Sequence, residues 1–181
     1  TADEVARESE NTDAAIFAGP SGVDNVIQCN PVLVPACANN DFRHAMLAAI
    51  DRASIIENIY GGAAQLVPCL YGRANLTGDV EGQAFDPQAA KDLLASSGVD
   101  IASVGELTFD TYYSDPLSLN VMTAIQAMWK DNLGLNVKIE QLDGQAWTDR
   151  YYKQGASQVS FFGAANGPTG ERARGYFHSK S

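Results

Sequence analysis

Two rhythms of apolar and polar positions alternate along this chain, and each change of rhythm marks an element. In "FDPQAAKDLLASSG", residues 85–98, Ala90, Leu93, Leu94 and Ser97 fall at three- and four-residue spacing beside polar Lys91 and Asp92, the narrow stripe of a helix laid on a core. Its ends are marked as well. Asp86 can cap the opening N–H groups, Pro87 suits the first helical position, and Gly98 suits the left-handed residue that closes a helix. Upstream, Phe42, Ala45, Met46, Ala49, Ile50 and Ala53 recur at helical spacing and predict a buried helix over about 40–52. "RASIIENIYGG" predicts a second helix ended by Gly61 and Gly62, and residues 61–84 then read as a long Gly-, Pro- and Asn-rich loop.

Past residue 105 the rhythm alternates between periods of two and of about four. "ELTFDTYY" places Leu107 and Phe109 on one face of a strand, and "SDPLSLNVMTAIQAMWKDNLG" carries Leu117, Val121, Ala124, Ile125 and Met128 as a helical stripe. Ser114 or Asp115 with Pro116 starts that helix, and Gly134 stops it. "LNVKIEQL" alternates again, "GQAWTDRYYKQ" reads as a helix and "SQVSFF" as a third strand. Such a β-α-β-α-β series predicts an α/β fold with a mainly parallel sheet flanked by helices. Residues 1–39 form an entry segment: a polar, weakly helical start, then "AAIFAGP" and "VDNVIQCN" as short strands. Ligands approach parallel sheets at the carboxyl ends of the strands, which here are Tyr112 to Ser114, Leu142 to Gln145, and Phe162 to Asn166.

Composition narrows the function classes. The 181 residues, 45% hydrophobic and 19% charged, suit one globular domain with a real core. A net charge of −10 disfavours nucleic acid and anionic lipid surfaces as partners. No apolar run approaches the roughly 20 residues of a membrane-spanning helix, and no charged-then-apolar leader opens the sequence. Cys29, Cys37 and Cys69 lack metal-ligand spacing, so no metal is assigned. Cys29 and Cys37 could close a short loop as a disulfide in an oxidising compartment, or all three cysteines could be buried thiols.

The chemistry is sparse. Nucleophile elbow, P-loop, dinucleotide fingerprint and histidine pairs are all missing, so no catalytic residue and no cofactor is assigned. His44 sits beside a helical stripe and His178 in a polar tail. Asp110, Asp115 and Asp143 come near the expected ligand edge, yet each also suits a strand-surface or capping role. Aromatic residues are better placed for stacking on a solute: Tyr112, Tyr113, Trp147 and Phe162, with Asn166, are the candidate ligand contacts. Neighbours in a strand point to opposite faces, so only one of Phe161 and Phe162, and one of Tyr112 and Tyr113, can face a cleft.

Three stretches together resemble one family. "NDFRHAMLAAIDRASIIENIYGG" is similar to an Arg-x-Ala, then Ala-Ile-Asp-Arg helix, here Arg43, Ala45, Ala49, Ile50, Asp51 and Arg52. "FDPQAAKDLLASSG" resembles a Tyr-Asp-Pro-x-x-Ala-x-x-Leu-Leu-x-x-x-Gly helix with Phe85 for the Tyr, and "IQAMWKDNLGLNVKIEQLDGQAW" a helix with a Gly-Ile-x-Val strand, Leu135 standing for the Ile. In this order they resemble the extracellular solute-binding proteins of the oligopeptide, dipeptide and nickel class, family 5, which serve ABC importers. The resemblance implies a class II periplasmic-binding-protein-like fold, with residues 1–181 as one lobe, the second, of a larger two-lobed protein. It also implies an extracytoplasmic location, in the periplasm or anchored at the membrane surface as a bacterial lipoprotein. It implies capture of a peptide-like or oligosaccharide-like solute by hinge closure, permease subunits of an ABC importer as partners, and a monomer. Peptide-binding members carry a Trp-x-Ala-Asp-Tyr-like stretch whose Asp pairs with the ligand's amino terminus. Aligned on Pro168, Phe161 stands at the Trp and Ala164 at the Asp, which argues against a free-amino-terminus peptide and for a neutral solute, with Asp143 or Asp115 as the alternative source of that charge from another direction. An interaction or receptor module that kept the fold and lost solute binding is the alternative, and a secreted hydrolase would need a carboxylate pair facing the cleft.

Overall fold

The computed structural model describes residues 7–11, 13, 15, 22–68 and 82–165. It divides into two compact units, one from Thr1–Asn25, Ala53–Gly82 and Gly163–Ser181, the other from Val26–Arg52 and Gln83–Phe162. Four strands, β1 (Val23–Cys29), β2 (Leu107–Thr111), β3 (Val137–Gln141) and β4 (Val159–Ala165), form one sheet in the order β1-β4-β2-β3. β2 runs parallel to both its neighbours, with Asp110 level with Glu140 on β3 and with Ser160 on β4. The helices are α1 (Asn40–Ala48), α2 (Arg52–Asn58), α3 (Pro87–Ser97), α4 (Pro116–Leu133) and α5 (Gly144–Thr148), the last continuing into a π turn, Asp149–Lys153. The expected β-α-β-α-β series is present, with the two crossovers that parallel strands require.

In the second unit, α1 and α3 lie antiparallel, and polar contacts tie both ends. Asn39 caps α1 through Asp41 N and Phe42 N, while its amide donates to Ser97 O at the far end of α3 over 3.0 Å. Ser96 Oγ donates to Asp41 Oδ2 over 2.9 Å. At the other end the last carbonyls of α1, which no further helical turn can satisfy, find partners elsewhere. Ala48 O accepts Asp86 N at 3.0 Å. Met46 O accepts Trp129 Nε1 at 2.8 Å, and Ala49 O accepts Asn132 Nδ2 at 2.9 Å, both from α4. Phe42, Ala45, Met122, Phe109 and Trp129 are buried in this core, with Trp129 packed 5.2 Å from Phe109.

Three expectations are corrected. The helix predicted over 40–52 ends at Ala48, because Ile50 N turns back to Leu47 O and Ala53, exposed, belongs to the separate helix α2. The buried stripe of α4 is Ser118, Val121, Met122, Ile125, Trp129 and Leu133, rotated from the predicted one, since Trp129 is drawn in towards the end of α1. A helical turn at Ile101–Val104, capped by Asp100, stands where none was expected. Of the cysteines, Cys29 and Cys37 are joined as a disulfide, while Cys69 lies outside the described residues. The strand expected at "AAIFAGP" and much of the 61–84 loop also lie outside them. In the first unit Asn25 Nδ2 donates to Tyr60 Oη over 3.0 Å, and Ile55 is buried.

Candidate functional site

At the carboxyl end of β2 the chain turns as Tyr113 N donates to Thr111 Oγ1 over 3.0 Å, which leaves Tyr112 and Tyr113 at the sheet's edge. Their rings lie 4.6 Å apart and both are half-buried. Strand alternation divides their neighbours. Tyr112 meets Trp147 of α5 edge-on at 4.9 Å, whereas Tyr113 meets Phe161 at 5.8 Å on the side where Phe161 also meets Phe109. Trp147 touches Phe162 at 5.4 Å and stacks on Tyr151 at 4.8 Å, tilted by only 13°. Four of the five candidate contacts therefore come together, in two layers. Tyr112 and Tyr113 are the accessible edge; Trp147 and Phe162, 4% and 2% exposed, are the floor beneath it. Asn166 lies outside the described residues. Phe161 and Phe162 do point to opposite faces, and both are buried, so neither meets solvent.

Beneath α5 lies a polar cluster. Asp110, buried, accepts Trp147 Nε1 at 3.2 Å and the Ser160 hydroxyl on Oδ1. Its Oδ2 has no hydrogen-bond partner and faces Arg150 Nη1 at 3.9 Å. Arg150 forks onto Glu140 at 2.7 and 3.2 Å. That fork holds the Glu140 carboxyl below its ordinary range and raises Arg150, in each case chiefly through their shared hydrogen bond. The expectation that Asp110 sits at the ligand edge is thus replaced by a buried place on the sheet face, set by the same alternation that sends Phe109 the other way.

The other carboxylates are occupied with backbone. Asp143 caps α5 through Gln145 N and Ala146 N, and Asp115 caps α4 through Ser118 N. Burial raises the Asp115 carboxyl, but the helix-opening hydrogen bonds, Ser118 first, outweigh it and leave it lowered. Each thus has a carboxylate oxygen turned to the opening N–H groups of its helix. Ala164, where the peptide-binding pattern has Asp, is buried. His44 is exposed and shares a hydrogen bond with Gln83 Oε1, a surface role. Among the described residues no three His, Cys, Asp or Glu side chains cluster as metal ligands, and no helix is long and apolar enough to cross a membrane.

Tyr151 and Tyr152 belong to the aromatic assembly and were not singled out from sequence. Trp147 and Tyr151 stand four apart, as helical neighbours do; Tyr152, five apart, reaches the same indole at 5.8 Å because the π turn widens the last coil. The i, i+4 spacing was the available signal.

The model of the bacterial extracellular solute-binding proteins, family 5 (middle part), matches residues 1–178. The chain belongs to this family. A Brucella ovis protein named as an ABC transporter peptide-binding protein is 35% identical over 159 residues, which are 84% of this chain and 30% of that protein. The structure of the murein tripeptide binding protein MppA of Escherichia coli superimposes with a TM-score of 0.73 at 19% identity, over 90% of this chain and 33% of that one. NikZ from Campylobacter jejuni, solved with Ni(L-His), gives a TM-score of 0.70 at 18% identity, over 88% and 33%. This family 5 chain therefore spans about a third of the length of the proteins it matches, and its α/β fold is theirs. Family 5 members are solute-binding proteins of ABC transporters, not enzymes.

Proposed function

We propose that this chain is one lobe of the extracytoplasmic substrate-binding component of an ABC importer, and that the carboxyl edge of its sheet forms one wall of the solute site. Tyr112 and Tyr113 would meet the solute, Trp147 and Phe162 would fix the shape of that wall, and Asn166 would add a neutral hydrogen-bonding group. Closure of a second lobe over the wall would trap the solute, since contacts made only in the shut form shift the open–closed equilibrium. The observation that carries this reading is the paired tyrosine rings at the end of β2, half-buried over a packed aromatic floor.

Solute chemistry follows from charge. With an alanine at position 164, and with Asp115 and Asp143 turned to the N–H groups of their helices, the ring edge of this wall holds no carboxylate where the peptide-binding pattern places one. A buried ammonium left unpaired is strongly disfavoured. We therefore propose a solute without a free ammonium at this wall, such as a neutral oligosaccharide or a peptide with a blocked amino terminus. The names of the relatives favour peptides, and the test separates the two. Thermal unfolding of the full-length protein is followed with free peptides, amino-blocked peptides, neutral oligosaccharides and nickel–histidine complexes. A solute at a hundred times its dissociation constant adds about 2.7 kcal/mol. Stabilisation by blocked peptides or oligosaccharides supports the reading; stabilisation by free peptides alone overturns the charge argument, and silence across the panel favours an interaction module.

A further inference from the structure

The polar cluster under α5 is more than packing. Asp110 is a carboxylate on β2 with no exposed surface; its Oδ1 accepts from Trp147 Nε1 at 3.2 Å and from the Ser160 hydroxyl, whose oxygen accepts the same indole N–H at 3.0 Å. Its Oδ2 lacks a hydrogen bond and stands 3.9 Å from Arg150 Nη1. Burying a carboxylate is costly, and a neutral acceptor would serve the indole N–H equally well if packing were all that mattered. A charged acceptor is a stronger and more directional partner than a neutral one. The indole so held is the one whose ring meets Tyr112, Phe162 and Tyr151. Trp147 is the buried residue of α5.

We propose that Asp110 is a positioning residue for the solute wall: its buried carboxylate, with Ser160, fixes the orientation of the Trp147 indole so that the edge presented by Tyr112 is preformed before any solute arrives. This rests on the reading of Trp147 as the floor of that wall. Arg150 is the second anchor of the same segment. It draws the π turn onto Glu140 and lies near enough to Asp110 to balance its charge.

The chain carries its own control. Its other tryptophan, Trp129, is equally buried, and its Nε1 donates to Met46 O, far from Asp110 in sequence and on the opposite sheet face. The experiment is solvent exchange of the two indole N–H groups, read by nitrogen-15 NMR on the full-length protein without solute. Resonances are assigned by their loss in Trp147→Phe and Trp129→Phe. Asp110→Ala should speed exchange at Trp147 at least tenfold and leave Trp129 within about twofold. Ser160→Ala, which removes the other acceptor of that N–H and a donor to Asp110, should speed exchange at Trp147 in the same direction and leave Trp129 unchanged. Asp110→Asn, which keeps an acceptor of the same shape without the charge, should fall between wild type and the alanine variant. Equal acceleration of both indoles would show a general structural role and overturn the proposal, as would unchanged exchange at Trp147. Should Asp110→Ala fail to fold, Asp110→Asn and Ser160→Ala decide the matter by the same comparison. Because no solute is present, failure here is distinguishable from failure of the binding reading, which the thermal panel tests alone.

Discussion

Trp129 joins two helices by one hydrogen bond, and its replacement by Phe should cost more than its size suggests. The indole is buried, lies 5.2 Å from Phe109, and donates to Met46 O at 2.8 Å where α1 has run out of turns. Trp129→Phe keeps an aromatic ring but removes the side-chain donor to that carbonyl. An unsatisfied buried acceptor costs about 1–3 kcal/mol. Trimming the indole to a phenyl removes on the order of 30 Å² of buried apolar surface, about 1 kcal/mol more at 25 cal/mol per Å². The expected loss is about 3 kcal/mol. Asn132→Ala is the comparison, because it removes the neighbouring bond to Ala49 O from a half-buried position where water can enter, for about 1 kcal/mol. Urea unfolding followed by circular dichroism measures both. If Trp129→Phe costs no more than Asn132→Ala, the argument that α4 completes the end of α1 is wrong.

Asp86→Ala should destabilise by about 1 kcal/mol in the same assay, since Asp86 Oδ1 accepts both Gln88 N and Ala89 N at 2.9 Å. Reducing the Cys29–Cys37 disulfide, whose partners are 8 apart in sequence, should lower the unfolding free energy by about 2.5 kcal/mol, measured as the urea midpoint with and without reductant. Glu140 is depressed in the folded state by its bond from Arg150. Its contribution is therefore present above the ordinary glutamate value, about 4.3, and is lost as pH falls through the depressed value. Stability measured between about pH 6 and 3 should accordingly fall less steeply for Glu140→Gln than for wild type, an order that would be reversed had folding raised that carboxyl.

How much of this was legible in the sequence depended on whether a signal was local. Helix ends written in single residues were readable. Asp86, Pro87 and Gly98 stand where expected, with Gly98 at φ +67°, and Asp115, Pro116 and Gly134 do the same for α4. Signals set by a distant partner were not. The apolar spacing from Phe42 to Ala53 runs on through a break, because Ile50 is buried after the helix has ended. The face that α4 buries was decided by Trp129 reaching Met46, 83 residues away. At the site, the gathering of Tyr112, Tyr113, Trp147 and Phe162 followed from strand ends and could be foreseen. The place of Asp110 could not, for its burial depends on Trp147 and Ser160 arriving from two other elements. Nor does any composition signal announce a π turn, so Tyr152 was missed.

The central claim is that the tyrosine edge of this sheet meets the imported solute. Calorimetric titration of the full-length Tyr112→Ala protein with whichever compound of the thermal panel stabilises the wild type tests it most directly. Loss of a stacking ring at a solute wall should weaken binding about tenfold, the 0.5–1.5 kcal/mol of a ring pair plus part of the buried area. Unchanged affinity in a variant that unfolds at the wild-type urea midpoint would place the solute elsewhere and contradict the account.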